Sequence, residues 1–218
     1  MSAYIVIDTE TGGFSADKCG LTEIAAVAAL WNGRTEPRVV EQFAVLIKPI
    51  DGLEYKAAAL RLQHRTLEEL QEKGTIEPAA LLSFYGWLYG IHRHYGKYRV
   101  WAHNADFDKR FLLAAAARLN AEESEYIAFP PIGIDWQCSA ERFKALKRAG
   151  MHHCQSSNLD AVCQYYKISI PEAVRHTGAA DAYATALCVA RMQSDWNSLP
   201  AQQRQAIILD GQLGPGHE

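Results

Sequence analysis

The sequence predicts an α/β protein in which helices cover a mixed β-sheet. The segment Ala3–Asp8 is a short apolar run rich in Ile, Val and Tyr, which is typical of a buried strand. Leu21–Trp31 and Val39–Ile47 flank Asn32-Gly33, a dipeptide that favours a β-hairpin, so the alanine-rich first partner is interpreted as strand rather than helix. Strand and helix patterns alternate through the rest of the chain, and this order indicates helices packed on a sheet.

Helical signals dominate the chain after the hairpin. Thr66 and Glu69 form a capping box, which predicts a short helix that ends near Gly74. Pro78 suits the first turn of the next helix, predicted over Ala79–Tyr95. The remaining predicted elements are a strand over Tyr98–His103, a helix over Asp106–Asn120, a strand over Ile132–Trp136, and helices over Ser139–Arg148, Asn158–Tyr166 (with Ser157 as its cap) and Thr177–Met192.

The length of 218 residues suits one domain with a sizeable core that needs neither disulfides nor a structural metal. No internal repeat and no linker rich in Gly, Pro or Ser interrupts the chain before its last twenty or so residues. We therefore predict one domain over residues 1–195 and a C-terminal tail over residues 196–218. Within the tail, Ser198–Leu209 suits either a short docked helix or a loosely held segment.

The composition restricts the cellular compartment and the kinds of binding partner that are expected for the protein. No apolar stretch approaches the ~20 residues that span a bilayer, and the N-terminus lacks a basic region before an apolar core. The five cysteines form no Cys-x-x-Cys pair, so reduced thiols in a cytoplasmic protein are expected. The net charge of −3 and the isoelectric point of about 6.2 argue against a strongly basic protein that coats nucleic acid.

A pair of acidic residues ends the first predicted strand. Asp8 and Glu10 are spaced i, i+2, so their side chains point to the same face, with Cα atoms about 6–7 Å apart. Clustered carboxylates repel and raise each other's pKa unless a cation compensates. The pair therefore indicates a divalent metal site, with a solvated strand end as the alternative.

Two further acidic segments lie at predicted helix starts. In the first, His103 and Asn104 precede Asp106 and Asp108 at a junction of strand and helix, where α/β sheets hold their ligands. Either aspartate alone could simply start the helix. The second runs from His176 to Asp181 and contains Gly178 and two alanines, which allow a close approach to the backbone. A lone histidine before a helix could be incidental.

Together, the three segments favour one chemistry. Converging carboxylates are electrostatically costly without cations, and their hard oxygen atoms suit Mg²⁺ or Mn²⁺. Two such ions ~3.5–4 Å apart would stabilise both the attacking and the leaving oxygen of a phosphodiester displacement. A nearby histidine could take the proton of the attacking water.

The three segments resemble the motifs of a known family. Asp8-Thr-Glu10-Thr-Gly-Gly, His103-Asn-Ala-Asp-Phe-Asp108 and His176-x-x-x-x-Asp181 resemble those of the DEDDh subgroup of the DEDD (DnaQ-like) superfamily of 3′→5′ exonucleases. That superfamily includes ribonuclease T, oligoribonuclease and the proofreading subunit of bacterial DNA polymerase III. The resemblance covers about residues 3–192 and implies a ribonuclease H-like fold with two Mg²⁺ or Mn²⁺ ions per active site. It assigns the metal to Asp8, Glu10, Asp108 and Asp181, and the general base to His176.

The resemblance also implies contacts with the substrate. The implied contact residues are Thr11, Gly12, Phe14, His103 and Asn104. The family commonly has a second threonine where Gly12 stands, and an apolar wedge where Phe14 stands. An aromatic ring there would stack on a base with ~1–3 kcal/mol, although ordinary core packing is the alternative. The two bound divalent ions would offset the net charge of −3.

The predicted function is therefore a 3′→5′ exonuclease that releases nucleoside 5′-monophosphates from single-stranded DNA ends. Trimming of RNA 3′ ends is the alternative within the family, because the motifs do not encode contacts to the 2′-hydroxyl. A non-catalytic module that accompanies a polymerase is the alternative from another class. The resemblance to a proofreading subunit makes a DNA polymerase a candidate partner.

Two weaker features remain outside this function. His152-His153-Cys154 could suggest zinc, but no second ligand pair follows at a suitable spacing, which favours a polar loop. The basic residues around Lys97 and around Lys144 could meet phosphates, although charged helix faces are usually just solvated.

Overall fold

In the computed structural model, which describes residues 2–33, 36–122 and 136–209, five strands form one mixed sheet in the order β3-β2-β1-β4-β5. The first three strands pair antiparallel, whereas β4 runs parallel to both β1 and β5. The predicted mixed sheet is confirmed. The strands are β1 (Ser2–Thr11), β2 (Leu21–Trp31), β3 (Arg38–Leu46), β4 (Tyr98–Ala102) and β5 (Trp136–Cys138).

Helices cover both faces of the sheet, which completes the predicted α/β architecture. A single 3₁₀ turn over Glu172–Val174 precedes the longest helix of the described residues. The helices are α1 (Ala57–Leu62), α2 (Leu67–Lys73), α3 (Glu77–Tyr95), α4 (Ala105–Glu122), α5 (Ser139–Arg148), α6 (Leu159–Tyr166), α7 (Gly178–Ser198) and α8 (Ala201–Ile207).

The alternation of side chains along β1 separates two hydrophobic cores. Ile5 and Ile7 belong to the core under α3 and α4, whereas Tyr4 and Val6 belong to the core under α5, α6 and α7. The same alternation directs the even-numbered residues at the end of β1 toward α7. The strand therefore presents its terminal carboxylates to the helix that carries the third acidic motif.

Local signals predicted most helix starts correctly. The Thr66 hydroxyl accepts a hydrogen bond from the backbone N–H of Glu69 at 3.1 Å, and α2 ends just before Gly74, as the capping box predicts. Pro78 is the second residue of α3, within its first turn. Helix α1 was not predicted, because it has only six residues and no side chain caps it.

Three predicted boundaries are corrected. Asn158, rather than Ser157, caps α6, since its side-chain oxygen accepts from the backbone N–H of Ala161 at 3.0 Å. Strand β5 starts at Trp136, where the prediction ended, and residues 132–135 of the predicted strand lie outside the described residues. Helix α7 continues past Met192, because the next turns still bury apolar side chains against the core.

The segment after α7 forms the short helix α8, and Ile207 of this helix is buried in the core under α7. The domain boundary near residue 195 stays a prediction. Among the described residues, no helix is long and apolar enough to cross a membrane. All five cysteines are free thiols. Residues 152–154 form a loop, as predicted, but His152 is buried, stacks on Phe143 and hydrogen-bonds the Phe143 carbonyl at 2.9 Å.

Candidate active site

The C-terminal ends of β1 and β4 meet at one edge of the sheet and form a cleft of about 230 Å³, here called the acidic cleft. Residues from all three sequence motifs line it, so the fold brings together segments that are far apart in the chain. The motif residues in the lining are Asp8, Thr9, Glu10, His103, Asn104, Phe107, Asp108, His176 and Asp181, and Leu62 and Leu159 complete it.

Asp8 and Glu10 reach the cleft from the last residues of β1. Both side chains are partly exposed, whereas Thr9 between them is buried, as the i, i+2 spacing predicts. The pairing of β1 with β2 shifts register between Glu10 and Thr11. Such a bulge ends the regular ladder and re-aims side chains, a common device beside functional sites.

Asp108 approaches the same strand end from the opposite side, in the first turn of α4. Its Oδ1 accepts two hydrogen bonds from Thr9, one from the backbone N–H and one from the hydroxyl, both at 2.9 Å. The Asp108 side chain is buried, whereas Asp106 is exposed. The structure therefore ties the second motif to the first through Asp108, the aspartate that the resemblance selects.

The third motif lies at the N-terminus of α7. The Thr177 hydroxyl caps this helix by accepting from the backbone N–H of Ala180 at 3.4 Å. The Asp181 carboxylate accepts from the backbone N–H of His176. His176 has a φ of 58°, in the left-handed region. Strained backbone of this kind concentrates at functional sites, and the tight turn holds His176 beside Asp181.

Gly178 explains how α7 can come so close to the sheet. A Cβ atom on Gly178 would lie 3.0 Å from the Cβ atom of Ala25 and 3.3 Å from a carboxylate oxygen of Glu23, both on β2. The close approach that Gly178 predicts is therefore the approach of α7 to strand β2. It brings the helix start, with His176 and Asp181, onto the edge of the sheet.

Glu23 is a fifth carboxylate at this edge, and the sequence reasoning missed it. It lies directly opposite Glu10 in the pairing of β1 with β2 and is 5% exposed. The backbone N–H groups of Gly178 and Ala179 donate to its carboxylate. Glu23 thus ties the start of α7 to the sheet. The signal that could have revealed it is its position as the one charged residue of the apolar strand β2.

The carboxylates of the acidic cleft destabilise one another's charged forms. Burial, followed by repulsion from Asp108 and Glu10, raises the pKa of Asp8 well above its usual range. Burial, followed by repulsion from Asp181 and Glu23, raises the pKa of Glu10 to about 9. The charge of Arg65 opposes this shift only in part. The pair at the end of β1 therefore favours protons or another cation at neutral pH.

The carboxylates that come from the helices show the same tendency. Burial raises the pKa of Asp108 to about 7, although its hydrogen bonds from Thr9 lower it. Burial also raises the pKa of Asp181, against the attraction of His176. A divalent cation would offset the cost of burying these charges, as well as the repulsion at the end of β1.

His103 forms part of the wall as a neutral ring. Burial lowers the pKa of His103 to about 4, so the imidazole carries no charge at pH 7. Its Nδ1 is 2.9 Å from the Ser139 hydroxyl, which fixes the ring at the start of α5. Asn104 is exposed at the rim, and its carbonyl accepts from the backbone N–H of Phe107 at the start of α4. Both residues can therefore contact a bound substrate without adding charge.

Three of the predicted substrate contacts lie outside the lining of the cleft. Thr11 is buried, and its hydroxyl donates to the Gly13 carbonyl at 2.6 Å. The N–H of Gly12 donates to the Gly20 carbonyl at 2.8 Å, and its own carbonyl accepts from Lys56 at 2.8 Å. These two residues therefore shape the loop after β1 from within.

Packing explains why glycine stands at position 12. A Cβ atom there would lie 2.3 Å from the backbone oxygen of Glu54, so the threonine that is common in the family could not fit without moving this segment. The neighbouring Phe14 is 87% exposed, which excludes ordinary core packing for its ring. Phe14 is consequently free to contact a ligand from the loop that Gly12 shapes.

The side chains of the acidic cleft fit a divalent cation by donor type and charge. Carboxylate oxygens are the ligands that Mg²⁺ and Mn²⁺ prefer, and a cation would offset the burial and the mutual repulsion that raise the pKa values of Asp8 and Glu10. Within residues 2–33, 36–122 and 136–209, no three His, Cys, Asp or Glu side chains already form a ligand cluster. The assignment of metal ligands therefore belongs to the proposal below.

Comparison with known protein families matches residues 5–189 to the RNase_T family, described as "Exonuclease". Ribonuclease T of Photorhabdus laumondii is 33% identical over 129 residues, which are 57% of this chain and 58% of that protein. Ribonuclease T of Haemophilus influenzae is 27% identical over 186 residues, which are 84% of this chain and 75% of that protein. The first of these matches thus spans less than two thirds of its relative.

Solved structures share the fold at low sequence identity. The nuclease domain of 3'hExo, a DEDDh family member bound to rAMP, has a TM-score of 0.67 at 16% identity over 89% of this chain and 92% of that chain. Escherichia coli Exonuclease I in complex with a dT13 oligonucleotide has a TM-score of 0.66 at 17% identity over 97% of this chain and 43% of that chain. These likenesses confirm the predicted ribonuclease H-like fold. Because the family match covers most of its length, the chain belongs to the RNase_T exonuclease family.

Proposed function

We propose that the chain is a metal-dependent 3′→5′ exonuclease that releases nucleoside 5′-monophosphates from single-stranded nucleic acid. The observation that carries the proposal is the acidic cleft itself, in which three distant segments bring four carboxylates and a histidine together. Burial and mutual repulsion raise the pKa values of Asp8 and Glu10, so their charged forms are destabilised until a cation binds. Membership of an exonuclease family supports the same reaction.

Asp8, Glu10, Asp108 and Asp181 would hold two Mg²⁺ or Mn²⁺ ions. When bound, such ions stabilise the charge on the attacking and leaving oxygens of a phosphodiester. The chain positions the ligands in advance: Thr9 fixes one oxygen of Asp108, and the N–H of His176 holds Asp181. Partial burial excludes bulk water from the carboxylates, which strengthens their attraction for cations.

His176 is the proposed general base. An imidazole can exchange a proton near neutral pH, and His176 lines the cleft beside Asp181. It would take the proton of the attacking water, after which the bond between phosphorus and the 3′-oxygen of the preceding nucleotide breaks. The released nucleotide then carries the 5′-phosphate.

Substrate contacts are proposed for Phe14, His103 and Asn104, because the first is exposed in the loop after β1 and the other two line the cleft. Thr11 and Gly12 are proposed to act through the loop that they shape. A stacking ring such as Phe14 reads no sequence, since every base has a flat face. The enzyme would therefore accept many terminal sequences.

The sugar preference separates two candidate substrates. The sequence predicts DNA, and a DNA polymerase partner stays part of that prediction. RNA is favoured by one observation, namely that the curated relatives at 33% and 27% identity are both named Ribonuclease T. A cytoplasmic location is supported by the five free cysteines, which suit a reducing compartment.

Product analysis on end-labelled strands tests the proposal. DNA and RNA of matched sequence, labelled at either end, are incubated with the protein and Mg²⁺. The 3′ label should leave at once as a mononucleotide, while the 5′ label should pass through a descending ladder. Full activity of Asp8→Ala or Asp181→Ala, or activity in excess chelator, would contradict the proposal. A binding module would retain the strand without shortening it.

A further inference from the structure

A second and larger cavity lies at the opposite edge of the sheet from the acidic cleft. Its volume is about 660 Å³, within the range of roughly 300–1,000 Å³ that is typical of small-molecule sites. The starts of β1 and β4, the end of β2 and the C-terminal half of α7 enclose it. We call it the basic cavity, after the residues Lys97 and Arg99 in its lining.

The lining combines positive charge with aromatic rings. Lys97 and Arg99 supply the charge, and Trp31, Tyr95 and Tyr98 supply partly exposed rings. Of the described residues that line the cavity, none is Asp or Glu. This composition stands out in a chain whose net charge is −3. It suits a ligand that is both anionic and planar.

A third positively charged side chain, that of Arg142, lies directly behind the residues that line the basic cavity. The Arg142 guanidinium lies 4.4 Å from the ring centroid of Trp196 and 5.5 Å from that of Trp101, and its side chain is 1% exposed. Its Nη1 donates to the side-chain oxygen of Gln193 at 3.4 Å. Trp101 and Gln193 both line the cavity. Arg142 therefore adds a buried positive charge behind the lining.

Arg142 keeps its positive charge although its side chain is buried. Burial and the charge of Arg99 lower the pKa of Arg142 to about 10, so the guanidinium stays protonated at pH 7. Glu36 is the acid whose charge acts on Tyr4 at the edge of the cavity, and Glu36 is itself ion-paired with Arg191 at 2.6 Å. A negative ligand in the cavity would offset the remaining repulsion among the cations.

We propose that the basic cavity binds a nucleotide, with its phosphate at Lys97 and Arg99 and its base against the aromatic rings. The source is either a free nucleoside monophosphate or a nucleotide within a strand whose 3′ end occupies the acidic cleft. The two sites are separate, because Tyr4 and Glu10 lie six residues apart on one strand, about 20 Å at 3.3 Å per residue. The proposal goes beyond the exonuclease reaction, since it requires binding alone.

Calorimetric titration in EDTA isolates this site. Without divalent ions the proposed hydrolysis stops, and the acidic cleft offers no bound cation to a phosphate group. One arm titrates AMP and dAMP, and the other titrates single-stranded oligonucleotides of both sugars. The full-length protein should bind at least one ligand saturably. The double variant Lys97→Ala/Arg99→Ala should lose about tenfold or more in affinity, because hydrogen bonds to charged groups are removed.

A matched control removes the same charge elsewhere. Lys48→Ala/Lys73→Ala deletes two positive charges outside the cavity lining and should leave the affinity unchanged. Binding of the mononucleotides identifies a free nucleotide as the ligand, whereas binding of the oligonucleotides alone identifies a bound strand. No saturable binding by the wild-type protein, or equal affinity in the Lys97→Ala/Arg99→Ala variant, would overturn the proposal. Neither result depends on whether the protein hydrolyses nucleic acid.

Discussion

The acidic cleft and the basic cavity lie at opposite edges of the same sheet and concentrate opposite charges. In the cleft, carboxylates from β1, α4 and α7 crowd into about 230 Å³. In the cavity, Lys97, Arg99 and aromatic rings surround about 660 Å³. The net charge of −3 reveals neither of these local concentrations of charge, because it sums the charges of the whole chain. The comparison shows that local excess charge, rather than net charge, indicates what each edge can bind.

The two sites differ in how the fold tolerates their excess charge. In the acidic cleft, burial and then mutual repulsion raise the pKa values of Asp8 and Glu10, so protons can neutralise these carboxylates when no metal is bound. Behind the basic cavity, Arg142 lies over two indole rings, whose faces attract a cation. Removing a charged side chain should consequently change the free energy of unfolding of the metal-free protein much more at the acidic cleft than at the basic cavity.

The largest effect is expected from a substitution within the acidic cleft that leaves the neighbouring residues unchanged. Asp108→Ala should lower the rate of nucleotide release by about a thousandfold or more, because it removes a proposed metal ligand from a site whose residues would act as a unit. Asp106→Ala is the matched control, two residues away on the same helix and exposed, and should keep near wild-type activity. Release rates on a 3′-labelled strand compare the two variants. Equal rates would refute the assignment of Asp108.

Removal of the proposed general base, His176, should have the next largest effect. His176→Ala should lower kcat by about 10²–10⁴-fold, the usual contribution of a positioned general base. The four carboxylates remain, so the affinity for Mg²⁺ should change little. Steady-state kinetics together with a metal titration separates the two quantities. An unchanged kcat would remove His176 from the reaction.

Glu23 tests how the sheet positions the start of α7. Glu23→Ala leaves the N–H groups of Gly178 and Ala179 without their acceptor, which should lower the free energy of unfolding by about 1–3 kcal/mol and also lower kcat. Glu23→Gln keeps an acceptor oxygen of the same reach and should restore most of both quantities. Urea unfolding and kinetics at saturating substrate measure them. If Glu23→Ala matched the wild type, the helix start would be held by other contacts.

The smallest expected effect concerns stability without metal. The native pKa of Asp8 is raised above its unfolded value, so metal-free stability contributed by its protonated form is lost as pH rises. Asp8→Asn removes this penalty and should raise the Tm in EDTA by about 2–4 °C, or roughly 1 kcal/mol, at alkaline pH. The difference should shrink as the pH falls below about 4, where the Asp8 carboxyl group becomes protonated in the unfolded as well as the folded protein. A destabilised variant at high pH would contradict the pKa direction.

Much of the acidic cleft could be predicted from the sequence, because its motifs lie at strand ends and helix starts, which topology brings to one edge. Asp8 and Glu10 follow an apolar strand, and the position of Asp108 after Phe107 matches a family motif. Glu23 could not be assigned in this way, since its partners on α7 are more than 150 residues away and depend on the packing of Gly178. Helix α1 gave no local signal, because no side chain caps it.

The basic cavity was beyond sequence reasoning for a related reason. Lys97 and Arg99 read as a solvated patch, and Trp31 reads as the end of a hairpin strand. Only the fold brings them next to Gln193 on α7. Arg142 also reads as an ordinary cation on an amphipathic helix, whereas tertiary packing buries it between indole rings.

Calorimetric titration with Mg²⁺ or Mn²⁺ tests most directly the claim that the acidic cleft is a cation site. The raised pKa values of Asp108 and Glu10 predict that metal binding releases protons at pH 7 and tightens as pH rises toward about 9. Measurement in two buffers of different ionisation enthalpy counts these protons. Saturable binding with proton release, retained in Asp106→Ala and lost in Asp108→Ala, is the predicted result. Equal binding in both variants, or binding without proton release at pH 7, would contradict the account.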